Sequence, residues 1–280
     1  MRDRILVTGG TGKTGRLLAE QLTASGAGAR IATRRPSAVD HVRFDWDDMT
    51  THGPALDGVS SVYLVAPTDR AEHLPVMLPF LEQAVMRVPG RLVLLSASSL
   101  NEDGPMMGKV HAWLHAHAPR WTVLRPSWFM QNVTTQHLPS IIGEGRIYSA
   151  TQGGRVPFID AADIAAVAVR ALTETTLASD DHVLTGPRAL TYDEVARAIS
   201  EVSGRAVRHH RLSADELTDR YLGFGMSRHY ASVLAGMDDA IAHGAEDRTT
   251  DEVERMTGRP ATDFASFLID QRAVLSGGQP

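Results

Sequence analysis

Through the first half of the chain, short runs of β-branched and aliphatic residues alternate with stretches whose apolar positions recur every three or four residues. The runs predict strands over residues 5–8, 29–33, 42–45, 59–66 and 91–96. Helical spacing occupies 12–25 and 69–88, with a short loop or helix near 50–56. A further helix over 107–117 leads into "WTVLRP" (121–126), a strand stopped by its proline. "VPFIDAADIAAVAVRAL" (156–172) reads as a short strand and a helix capped by Asp160 or Asp163. "HVLTGP" (182–187) is the last predicted strand. After it comes a helix in which Thr191 and Glu194 are spaced as a capping box. From residue 213 to about 270 the pattern is helical, and the last few residues read as disordered.

Strand–helix–strand repetition implies a mainly parallel sheet with helices on both faces, an α/β, doubly wound Rossmann architecture. Residues 1–130 and about 151–186 are expected to form the NAD(P)-binding domain. Residues of about 131–150 and 187–280 are expected to form a smaller, mostly helical substrate-binding part.

Composition narrows the function classes. A formal charge of −5 with no basic stripe gives no expectation of a nucleic-acid partner. The chain has no cysteine, which excludes disulfides, thiolate metal sites and a cysteine nucleophile. His209 and His210 are adjacent and face apart, so no metal site is expected. No apolar run approaches the roughly 18 residues of a membrane-spanning helix. The first strand starts almost at once, so no signal peptide and a cytoplasmic location are expected.

The turn after the first strand, "VTGGTGKTG", admits two frames. Gly12-Lys13-Thr14 resembles the end of a P-loop, but the first glycine of that motif falls at Val7, inside the strand. The frame Gly9, Gly12, Gly15 suits a dinucleotide. Gly9 allows the sharp turn, Gly12 the approach of a pyrophosphate and Gly15 the packing of helix on strand. Thr11, Lys13 and Thr14 complete the turn. The second strand ends in Arg34 and Arg35, with no carboxylate for ribose hydroxyls. Guanidinium groups suit a 2′-phosphate, so NADP is the expected cofactor, NADPH the hydride donor and NAD the alternative.

These residues resemble the NmrA-like group of atypical short-chain dehydrogenases/reductases. The likeness extends through "RFDWDD" (43–48), "WTVLRPSWFMQN" (121–132), "VPFIDAADIAAVAVRAL" and "LTGPRALTYDEVA" (184–196). Arg125-Pro126 followed by Phe129-Met130 and Asn132 is specific to that group. "GKVHAWL", "GRIYSATQGGRVPFI" and "MDDAIAHGAEDR" are most similar to the agroclavine/festuclavine dehydrogenase type. The resemblance implies reduction of iminium carbons there, and of quinones in related chains of aromatic polyketide pathways. It further implies pyrophosphate contacts from the glycine turn, adenosine contacts from Arg34, and Ala66 and Pro67 near the adenine. Ser96 and Ala97 would end the fifth strand, while Pro126, Trp128 and Phe129 would line the nicotinamide.

Typical short-chain reductases carry Tyr-x-x-x-Lys. Aligned on Leu114 and Trp121, this chain places Asp103 at the tyrosine and Met107 at the lysine, with Lys109 displaced by two residues. A ketone needs a proton donor at its oxygen, typically worth about 10²–10⁴-fold in rate. An iminium carbon already draws hydride, and a quinone spreads the incoming charge over its ring. An intrinsically activated acceptor is therefore expected. Lys109 and His111 are the candidates for a bond to a substrate oxygen.

Trp113, Trp128, Phe129, Met130, Tyr148, Tyr221 and Phe224 are the candidate substrate contacts, suited to a flat polycyclic ligand. The expected function is an NAD(P)H-dependent reductase of secondary metabolism, with a polyketide quinone narrowly ahead of an iminium. A reduced quinone could be hydroxylated with oxygen and a partner protein. A non-catalytic NADP sensor is the third reading.

Overall fold

The computed structural model describes residues 4–277, so the final residues of the tail expected to be disordered lie outside the described range. In chain order the described strands are β1 (Arg4–Val7), β2 (Gly28–Thr33), β3 (His41–Arg43), β4 (Ser61–Val65), β5 (Leu92–Leu95), β6 (Trp121–Pro126), β7 (Arg146–Ser149), β8 (Arg155–Val156), β9 (Asp180–Leu184), β10 (Leu190–Thr191) and β11 (Arg208–Arg211). The main helices are α1 (Lys13–Ala24), α2 (His52–Leu56), α3 (Leu74–Arg87), α4 (Met107–His117), α5 (Leu138–Glu144), α6 (Ala161–Thr173), α7 (Tyr192–Ser203), α8 (Ala214–Gly223) and α9 (Arg228–Ala242). No helix among the described residues is long and apolar enough to cross a membrane.

The chain divides into two units. The first runs to Pro126 and adds Ala161–Leu184 and Arg255–Gly258. Its sheet has the order β3-β2-β1-β4-β5-β6-β9, every neighbouring pair parallel. The order reverses between β1 and β4, the switch point of a doubly wound Rossmann sheet. The central strands are buried on both faces, which is why they read as continuous apolar runs. Leu6, Val62, Leu64, Leu94 and Val123 pack in one cluster with Phe80 and Leu81 of α3 and Val110 and Leu114 of α4. The alternate residues turn to the other face by the two-residue period of a strand. There α6 covers β4, β5 and β6 and packs along α1, from which Gln21 Nε2 donates a 3.0 Å bond to the Ala162 carbonyl of α6.

The second unit comprises Ser127–Asp160, Thr185–Glu254 and the chain from Arg259 onward. Residues 151–160 belong here, not with the large sheet, because β8 pairs antiparallel with β10. β7 pairs in parallel with β11. Met130, Ile147, Phe158, Tyr192, Ile199 and Phe264 anchor its core. The expected capping box of α7 is present, and Ser213 with Glu216 forms another at α8.

β7, β10, β11 and α5 escape the sequence pattern. β11 reads Arg-His-His-Arg, a strand held by pairing with β7 and not by its own apolar face. α3 starts at Leu74 and not near 69, with Pro75 in its first turn, where a missing amide costs nothing.

Candidate cofactor and substrate sites

The glycine turn is built from backbone packed on backbone. Gly9 has φ of 62°, and the Gly12 amide donates to its carbonyl at 2.9 Å. A β-carbon on Gly15 would stand 2.4 Å from Gly9 O, and one on Gly10 would stand 2.6 Å from Cγ2 of Ile31 on β2. Gly10 is thus a requirement of the turn that the three-glycine spacing does not show. Thr8 fixes the turn to β4: its Oγ1 donates to Tyr63 O at 3.1 Å and accepts from Val65 N at 2.7 Å. No side chain caps α1, whose N-cap is Gly12. An uncapped helix start behind a turn with no side chains in the way fits a diphosphate, through amide donors and the helix dipole. Lys13 is half-buried at this start, and burial pushes its pKa down. Thr14 is buried, while Thr11 is exposed.

Arg34 and Arg35 follow β2 and are exposed. Beyond β4, Arg70 is gripped by Asp69 at 2.8 Å and Asp47 at 2.9 Å. Arg70 first, and Arg34 at longer range, hold the Asp69 carboxyl below its usual range. A carboxylate therefore does lie in the field of Arg34, contributed by a loop distant in sequence. Ala66 and Pro67 follow β4, Ser96 and Ala97 follow β5, and Pro126 ends β6. All these positions belong to the same carboxyl edge of the sheet as the glycine turn. There the Ser96 amide donates to Leu124 O at 2.7 Å, and the buried Ser96 hydroxyl has no hydrogen-bond partner among the described residues.

α4 carries no tyrosine. Asp103 lies in the turn before it at φ 59°, and Met107 opens the helix. Lys109 is exposed. His111 differs from its expected place on a solvated helix surface. It is 2% exposed, packed with its ring centre 5.4 Å from that of Trp121 at the start of β6. Among the described residues neither of its ring nitrogens has a hydrogen-bond partner, and burial lowers its pKa. His111 is thus a core residue packed on the Trp121 ring, and burial favours its neutral form. Trp113 stacks on His117 at 4.7 Å and packs against the core of the first unit.

The other aromatic candidates lie in the second unit and form two groups. Trp128, Phe129 and Met130 run alongside Ile159: Ile159 N donates to Trp128 O at 2.9 Å, and Met130 N to Ile159 O at 2.8 Å. Met130 is buried in the core, and Trp128 packs against it. Tyr148 lies under the Arg220 guanidinium, 3.8 Å from ring centre to carbon, and donates its hydroxyl hydrogen bond to Glu144. Tyr221 packs with Ala150, Leu217 and Ala235. Phe224 is 67% exposed, beside Arg220.

Polar groups not singled out from sequence sit in this unit as well. Asp238 is buried on α9, its Oδ2 accepting from Ala150 N at 3.0 Å, and burial pushes its pKa up to about 6. The available signal was its place at the apolar spacing of Ala231 and Ala235. His209 Nε2 lies 2.8 Å from Ser149 Oγ, and His209 Nδ1 lies 3.8 Å from Asp193. This serine–histidine–aspartate chain is structural: Ser149 is buried and shares a 2.8 Å bond with Thr151. His210 points outward, as its adjacency to His209 implied.

No family model matches the chain. It is 43% identical to an uncharacterized oxidoreductase, YesF, of Bacillus subtilis, over 97% of this chain and 96% of that protein. It is 40% identical to the agroclavine dehydrogenase of Claviceps fusiformis, over 96% and 98% of the two chains. Among solved structures it is similar to an NADPH-dependent quinone oxidoreductase of Escherichia coli complexed with NADPH. That likeness has a TM-score of 0.80 at 21% identity, over 94% and 98% of the chains, and bears on the fold alone.

Proposed function

Because the chain belongs to the NmrA-like atypical short-chain dehydrogenases/reductases, with the agroclavine/festuclavine dehydrogenases among its relatives, we propose that it is an NADPH-dependent reductase of a planar, conjugated iminium. It is an oxidoreductase by family. The observation that supports an intrinsically activated acceptor is α4, which offers an exposed lysine and a core histidine but no tyrosine. The similarity to agroclavine and festuclavine dehydrogenases is what moves the reading from the quinone expected from sequence to an iminium. An acceptor that takes hydride without a proton at oxygen suits such a helix.

In this reading the turn from Gly9 to Gly15 holds the pyrophosphate on backbone amides, and Arg34 with Arg35 holds the 2′-phosphate. Ala66 and Pro67 flank the adenine side. Ser96, Ala97 and Pro126 bound the nicotinamide side, where small and rigid residues leave a flat ring room. When bound, the dinucleotide supplies hydride to the acceptor carbon. Trp128 and Phe129 offer aromatic surface to a flat substrate, and the Asp69–Arg70–Asp47 set holds the loop after β4 in place.

A quinone is the second reading. The partnerless Ser96 hydroxyl favours it, since that group could donate to a substrate oxygen.

The test is NADPH consumption, followed by absorbance, with N-methyldihydroisoquinolinium and a polycyclic quinone offered separately, with and without oxygen. Turnover of the iminium is expected. Turnover of the quinone alone would replace the first reading by the second. Tight NADPH binding without consumption on either would overturn both in favour of a sensor.

A further inference from the structure

We infer that Asp238, bonded to the Ala150 amide in the cluster on which Tyr221 packs, forms a recognition site in the second unit for a positively charged nitrogen on a flat ligand. The inference rests on the proposed function only for the ligand's role as substrate, not for the site's chemistry.

Asp238 is 7% exposed. One carboxylate oxygen is used, by the Ala150 amide. No lysine, arginine or histidine among the described residues lies within ion-pair distance of the other. Buried carboxylates almost always face a cation, because desolvating the charge costs several kcal/mol without one. A bond to one backbone amide does not explain a carboxylate here, since an asparagine or serine could accept it without charge. The missing partner is therefore supplied from outside the chain.

The surroundings say what kind of cation. Tyr192 and Tyr221 are both raised in pKa, first by burial and then by the charge of Asp238, so both lie within its field. They are neutral and aromatic. A carboxylate with aromatic rings within its field suits a large, weakly hydrated cation such as an iminium better than a compact, strongly hydrated one. A metal ion would need more oxygen ligands than the one carboxylate gives. The residues preceding Asp238 on the same face are Ala231 and Ala235, both buried, and Ala235 packs in one cluster with Ala150, Leu217 and Tyr221.

The site also discriminates between the two acceptors considered above. An iminium would gain an ion pair in a poorly screened environment, whereas a neutral quinone would gain nothing from it.

The experiment is calorimetric titration, with NADP present, of N-methyldihydroisoquinolinium and of dihydronaphthalene, a neutral compound of the same two-ring frame. The proteins are the wild type, Asp238→Asn and Tyr221→Leu. Asp238→Asn keeps an acceptor for Ala150, and circular dichroism checks that it folds. The expected result is a cation dissociation constant raised about tenfold or more in Asp238→Asn, with dihydronaphthalene unchanged. Tyr221→Leu should weaken the cation several-fold with Asp238 intact. Equal cation affinity in wild type and Asp238→Asn would overturn the inference, as would wild-type protein that prefers the neutral compound. If Asp238→Asn does not fold, an unchanged cation affinity in Tyr221→Leu overturns it instead. NADPH consumption separates the two claims. Asp238-dependent binding without turnover leaves the site standing and sinks the iminium reductase. Turnover with the same KM in Asp238→Asn does the reverse.

Discussion

Gly15 stands so close to Gly9 that a β-carbon on it would lie 2.4 Å from the Gly9 carbonyl oxygen and 2.7 Å from Cα of Gly10. Helix and turn are pressed together at backbone distance, and neither neighbour is a side chain that could swing aside. Gly15→Val should therefore displace α1 from the turn. The expected outcome is a loss of at least about 2 kcal/mol in stability and of NADPH affinity beyond that, since the amides no longer converge. Chemical denaturation and fluorescence titration with NADPH would check both. A variant that binds NADPH as the wild type does would show that the turn does not hold the cofactor.

Arg34 is exposed and lies in the field of Asp69. Replacing it with aspartate removes a donor to a 2′-phosphate and adds a second negative charge near Asp69. A charge-assisted bond contributes about 1.5–3 kcal/mol, so Arg34→Asp should weaken NADPH by about 10–100-fold. NADH, which lacks the 2′-phosphate, should change by less than about threefold. Equal losses for the two cofactors would contradict the assignment.

Much of the first unit is legible from sequence because its central strands are buried on both faces. Ile5, Leu6 and Val7 leave no other reading. The glycine spacing was legible for the same reason, being local to one turn. What stayed hidden depends on pairings distant in sequence. Gly10 is required by Ile31, and the strand character of Arg208–Arg211 by β7. The approach of Asp69 to Arg34 and the burial of His111 against Trp121 belong to the same class. Helical periodicity assigned α4 its bounds but not its buried side, because its histidines at 111, 115 and 117 look alike in sequence while only His111 turns inward.

Arg91 is 4% exposed and donates to Trp121 O at 2.8 Å, Thr122 Oγ1 at 3.1 Å and Ala178 O at 3.3 Å, with a further bond to Leu177 O. It ties the starts of β5 and β6 to the loop before β9. Arg91→Met fills a similar space but leaves these buried acceptors without a donor. A loss of about 2–4 kcal/mol is expected by urea denaturation. A change under about 1 kcal/mol would mean that water replaces the guanidinium.

Asp238 makes stability depend on pH with an unusual sign. Its carboxyl is raised from 3.8 to about 6 by burial, so the folded chain holds a proton that the unfolded chain has released over that interval. Stability from this group is complete below about pH 4, falls as pH rises, and stays low above about pH 6. Tyr192 and Tyr221, raised in pKa, stay neutral throughout. Asp238→Asn removes the penalty. It should match the wild type near pH 4 and exceed it by about 2–3 kcal/mol near pH 7. Parallel pH profiles for the two proteins would show that Asp238 is not desolvated.

The chain leaves the first unit at Pro126 and does not supply the next strand of that sheet until Asp180. During synthesis on a ribosome, everything through β6 therefore emerges with an open strand edge and with α1 uncovered, for as long as the next sixty or so residues take to appear. The sheet cannot mature first and wait. A nascent chain halted just after Pro126 would be a sticky intermediate, prone to pair its bare edge with another copy. Expression of the first unit alone would have to splice Ala161–Leu184 directly after β6 to be soluble.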